Sequence, residues 1–65
     1  MSYLFIMIDK ENYVISTYRV IADNKLKALN EFAQYISSDE NLQFELKNTA
    51  RLDIFEETIK LWIVA

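Results

Sequence analysis

Tyr3-Leu4-Phe5-Ile6-Met7-Ile8 is an unbroken apolar run, and both of its alternating sets, Tyr3/Phe5/Met7 and Leu4/Ile6/Ile8, are apolar. Successive side chains of a strand point to opposite faces, so this segment carries apolar surface on both sides of the sheet that contains it. Such a strand belongs at the centre of a sheet. What covers each of its two faces is then the question put to the remaining residues.

The chain has neither glycine nor proline, so a turn that needs positive φ must use Asn or Asp. Asn12, Asn24, Asn41 and Asn48 are the expected punctuation marks. Asp9-Lys10-Glu11-Asn12 is a polar break in which Asn12 takes the left-handed position of a short hairpin, and Tyr13 to Ile21 returns as a β-branched and aromatic strand. Beyond Asp23, a suitable N-cap, Leu26, Leu29, Phe32, Ala33 and Ile36 recur at offsets of three and four. That spacing predicts an amphipathic helix over Asn24 to Ser37, closed by a polar Ser37-Ser38-Asp39-Glu40-Asn41 loop.

Leu42, Phe44 and Leu46 alternate with Gln43, Glu45 and Lys47, the pattern of a half-buried strand. Thr58 to Val64 reads as a last strand, with Ile59, Leu61 and Ile63 on one face and Lys60, Trp62 and Val64 on the other. Between them, Asn48 to Glu57 stays open among loop, strand and helix. Leu52, Phe55, Ile59, Trp62 and Ile63 also fit helical spacing, which makes a helix from near Thr49 an alternative. A tight hairpin at Glu56-Glu57 is disfavoured, because Glu fills positive-φ positions poorly.

The expected architecture is a single α+β domain spanning residues 1–65, of ββαββ order, with an antiparallel sheet and one amphipathic helix packed on one face. This order resembles the small ββαββ folds of some toxin–antitoxin antitoxins and many phage-encoded regulators, a likeness of fold that carries no function by itself. One helix covers one face. The first strand is apolar on both faces and the last carries Trp62 and Val64 opposite its Ile/Leu face, so the second face calls for a symmetric dimer or a docked partner protein.

Composition points the same way. The chain lacks His and Cys, removing the side chain that titrates near neutrality and the ready thiolate nucleophile or soft metal ligand. A chain of 65 residues hides only about 60% of its unfolded surface on folding, and a disulfide is impossible here, so association is the remaining support. With 52% hydrophobic and 14% aromatic residues it is far from a disordered composition. Tyr3 to Ile8 is too short for a membrane span and has no basic leader or small-residue cleavage site, so a cytoplasmic protein is expected, away from membranes. Compactness and an Ile/Asn/Lys-rich usage suggest a bacterium or its phage. The net charge of −3 falls entirely in the second half, from Ala33 onward, which disfavours nucleic-acid binding through phosphate neutralisation.

Several clusters invite sharper readings. Glu56-Glu57 with Asp53 has the composition of an acid/base pair, but neighbouring side chains on a strand diverge, so a solvated turn explains them better. Asp39, Glu40 and Asn41 offer hard oxygen ligands without the glycine-bent loop of an EF-hand, and helix termination accounts for them. Tyr3, Phe5, Tyr13 and Tyr18 would stack bases if a sheet displayed them; core packing explains the same rings. Asp39, Glu40, Glu45, Asp53, Glu56 and Glu57 suggest an acidic surface that meets a basic groove in the manner of a nucleic-acid mimic. Trp62, Tyr13, Tyr18 and Arg19 are the residue types that anchor interfaces.

Together these readings predict a non-catalytic protein-binding module, not an enzyme, without cofactor or metal. It is expected to be a homodimer or partner-bound, and to serve as a small regulator or stoichiometric inhibitor that occludes a protein surface. A nucleic-acid-binding module with an aromatic sheet face and a structural subunit of a larger enzyme are the alternatives.

Overall fold

The computed structural model describes residues 1–57. In chain order they form β1 (Ser2–Ile8), β2 (Val14–Ile21), α1 (Lys25–Ser38), α2 (Glu40–Lys47) and β3 (Arg51–Glu57). The strands make one antiparallel sheet in the order β2-β1-β3, an α+β arrangement with the doubly apolar β1 at its centre.

The β1–β2 connection is built by two side chains. Asn12 sits at φ 68°, and Asp9 Oδ1 accepts from the backbone N–H groups of Glu11 at 2.8 Å and Tyr13 at 3.0 Å. An amide side chain tolerates the left-handed region better than most, which lets a glycine-free hairpin close. The β1–β2 register then slips by one residue between Met7 and Ile8, leaving Ile15 as the bulged residue that packs against the core.

α1 is capped by Asn24, one residue after the expected cap: Asn24 Oδ1 accepts from Lys27 N–H at 2.9 Å, while Asp23 pairs with the Lys27 ammonium at 3.1 Å. Ala28 and Phe32 are its buried positions, with Leu29 and Ile36 partly buried beside them. The Phe32 ring stacks on Phe5 at 4.3 Å with planes 13° apart, and Tyr18 packs against Phe32 at 6.0 Å and Tyr35 at 5.3 Å. Offset aromatic contacts of this kind add about 0.5–1.5 kcal/mol beyond the area they bury.

Two expectations are corrected. Leu42 to Lys47 is helix α2, not a strand, and the segment Ser37 to Asn41 is not a loop. Asp39 alone separates the helices; it closes α1 through its N–H to Ile36 C=O and caps α2 through Oδ1, which accepts from Asn41 and Leu42 N–H. Glu40 in the first turn and Lys47 in the last both favour the α2 dipole. Leu42 and Leu46 stand four apart as well as two steps of a strand pattern apart, so alternation alone does not separate the two periods.

The open stretch after α2 takes one of its three readings. Residues 51–57 are strand β3, and no helix begins near Thr49. Pairing with β1 sets Leu52 opposite Met7 and Ile54 opposite Phe5, burying their apolar side chains beside the core while satisfying the second edge of β1. The described order is therefore strand, strand, helix, helix, strand, and the single helix of the ββαββ expectation becomes a pair. The strand expected over Thr58 to Val64, with Trp62, lies outside the described residues.

Candidate interaction face of the sheet

Both helices lie on one side. Tyr3, Phe5 and Met7 point to that side, are essentially fully buried, and share a cluster with Val20, Ala28, Phe32 and Leu42. On the opposite side no described element covers the sheet.

Cross-strand partners share a face, so the register defines this open side row by row. Ser2 lies between Ile21 and Glu57, and Leu4 between Arg19 and Phe55. Ile6 lies between Thr17 and Asp53, and Ile8 between Val14 and Arg51. Ser2 and Ile8 are buried and Leu4 and Ile6 half-buried, while Val14 is 59%, Ile21 68% and Phe55 51% exposed. Apolar residues thus occupy part of every row.

Charge on this face is balanced. Arg19 and Arg51 are the two cations, Asp53 and Glu57 the two anions, and each end of the sheet holds an ion pair. Arg19 reaches Glu57 at 3.2 Å over β1, and Arg51 bonds Asp53 at 3.2 Å along β3. The net charge of the face is therefore zero in a chain of −3. Its excess carboxylates lie elsewhere.

The residues singled out from sequence are dispersed. Arg19, Asp53 and Glu57 fall on the open face; Glu56, opposite Tyr3, projects on the helix side. Asp39, Glu40 and Glu45 belong to the α1–α2 junction and α2. The six carboxylates therefore do not form one acidic surface. Tyr18 packs under α1 against Phe32 and Tyr35, away from the open face, and Tyr13 is exposed at the hairpin. Tyr3 and Phe5 are buried, so of the rings considered for base stacking only Tyr13 is freely displayed. Trp62 lies outside the described residues.

Sequence reasoning missed Val14, Ile21 and Phe55 as the most exposed apolar members of the face. Their signal was available only through register: each sits opposite a member of the Leu4/Ile6/Ile8 set or the adjacent Ser2, a relation fixed by long-range pairing rather than by local pattern.

Tyr3 is the one described group whose ionisation is clearly displaced. Burial, reinforced by the nearby Glu56 carboxylate, raises its phenol above the ordinary tyrosine value. It serves the core.

A shallow depression of about 540 Å³ lies between the hairpin and the α2–β3 connection, lined by Asp9, Lys10, Lys47 and Asn48 among others. Asp9 and Asn48 already use their side chains to close the hairpin and the end of α2. Among the described residues no cluster of three or more metal-ligating side chains occurs, and no helix is long and apolar enough to cross a membrane. No protein-family model matches the chain, and comparison with curated proteins and with solved structures gives no match.

Proposed function

We propose that this protein is a non-catalytic binding module that presents the open face of its sheet to another protein surface and acts by occlusion. The observation carrying this reading is the pair Leu4 and Ile6 of β1 with exposed Val14, Ile21 and Phe55 around them, all on the side of the sheet opposite both helices. Contiguous exposed apolar surface bordered by charge is the usual mark of a protein contact. The absence of His and Cys from the chain supports a binding role over a catalytic one. A small regulator or stoichiometric inhibitor is a role that fits a module with such a face.

Paired substitutions test the reading. Ile21→Asp and Phe55→Asp should keep the circular dichroism of the parent yet lose its association with protein. Leu26→Asp and Phe44→Asp, at exposed apolar positions on the helices, should keep both. Association that survives Ile21→Asp and Phe55→Asp would refute the assignment of the face.

A further inference from the structure

We propose that the occupant of the open face is a second copy of this chain, stacked sheet on sheet about a twofold axis that lies in the interface and runs perpendicular to the strands. The proposal rests on the reading of this face as a binding surface and names its partner.

The pattern of residues carries it. A twofold axis so placed lays each strand antiparallel on its own equivalent, matching the first row of the face with the fourth and the second with the third. In β2 this sets Ile21 over Val14 of the second copy, and in β1 it sets Leu4 over Ile6, so apolar side chains meet apolar side chains. In β3 it sets Glu57 over Arg51 of the second copy, and Arg51 over Glu57, so opposite charges meet twice; the remaining matches are Phe55 with Asp53, Arg19 with Thr17 and Ser2 with Ile8. An isologous interface requires this self-complementarity, since the same patch must serve both partners.

The placement of charge favours the same occupant. Two chains of −3 repel, but the excess carboxylates, among them Asp39, Glu40 and Glu45, lie with the helices, away from the contact. The contacting face itself is neutral. Its outline matters too: three strands of about seven residues measure roughly 23 by 14 Å, which an identical sheet closes edge to edge at the usual spacing of about 10 Å. That footprint is well below the roughly 800 Å² per partner of a standard interface. The dimer is therefore reversible and concentration-dependent.

The test uses two charge reversals. Arg51→Glu gives the face an excess of two negative charges and Glu57→Arg an excess of two positive. Each variant alone should self-associate on the order of tenfold more weakly than the parent in sedimentation velocity, as two like-charge contacts replace two attractive ones. An equimolar mixture should form a heterodimer at parent-like strength, because both cross-copy pairs are again opposite in sign. Variants that dimerise as the parent does, or a mixture no stronger than its components, would overturn the proposal.

A cysteine-free chain also allows a clean probe of the face in the parent background. Thr17→Cys lies opposite Ile6 on the open side, and Ala33→Cys is exposed on α1. In the dimer, the thiol of the Thr17→Cys variant should lose reactivity with rising concentration while that of the Ala33→Cys variant does not. A monomer at all concentrations whose Thr17→Cys thiol is fully reactive removes the second copy but leaves the open binding face standing. A monomer in which that thiol is shielded removes both.

Discussion

The Arg19 guanidinium meets the Glu57 carboxylate at 3.2 Å over the central strand, joining the two outer strands across the adjacent rows of Ser2 and Leu4. Both side chains are about half exposed, so the bond itself contributes at most about 1 kcal/mol. Its larger effect is to lay charge across the central strand, between Ile21 on β2 and Phe55 on β3. Arg19→Ala should accordingly lower folding stability by less than about 1 kcal/mol in urea titration.

Phe32 is the residue on which the helix layer and the sheet meet. Truncation of a buried Phe to Ala costs about 3–5 kcal/mol, against a total of about 3–10 kcal/mol expected for a domain of this length. Phe32→Ala should therefore leave much of the chain unfolded at room temperature by circular dichroism. Phe32→Leu, which keeps most of the volume, should stay folded with a lower urea midpoint.

Asp39 serves two helices, and its removal should be felt on the second. Asp39→Ala is expected to cost about 1 kcal/mol and to speed amide exchange at Asn41 and Leu42, the N–H groups its carboxylate accepts from. Asp39→Asn, an equally good cap, should leave both nearly unchanged.

Asn12 holds its left-handed conformation at the hairpin. A β-branched residue there carries the steric cost of positive φ, about 1–2 kcal/mol, so Asn12→Val should lower the thermal midpoint. Asn12→Gly should match the parent or exceed it slightly.

Tyr3 gives the fold an alkaline limit. Its phenol ionises at a higher pH in the folded state than in the unfolded one, so from about pH 10 upward the unfolded chain binds fewer protons and stability falls as pH rises. The contribution is fully present below that pH. Urea midpoints measured from neutral to strongly alkaline pH should show this decline, and Tyr3→Phe should reduce it.

Much of this arrangement was legible in local pattern. The doubly apolar Tyr3–Ile8 segment marked the central strand, Asn12 marked the hairpin, and the three-and-four spacing from Leu26 to Ile36 marked α1, because each signal resides in a few neighbouring residues. α2 was not legible. Leu42, Phe44 and Leu46 satisfy a strand period, and what decides for helix is the capping geometry of Asp39 and the packing of Leu42 against the core. β3 was equally hidden, since Leu52 and Ile54 become sheet residues only through pairing with Met7 and Phe5, more than forty positions away. The open face followed from β1 in outline, but its most exposed members, Val14, Ile21 and Phe55, depend on that same long-range register.

The most direct measurement is an isotope-filtered nuclear Overhauser experiment on a mixture of labelled and unlabelled chain at high concentration. Intermolecular contacts should connect Leu4 with Ile6, Val14 with Ile21, and fade on dilution. Contacts confined to the helix surface around Leu26 and Phe44, or none at any concentration, would contradict the account.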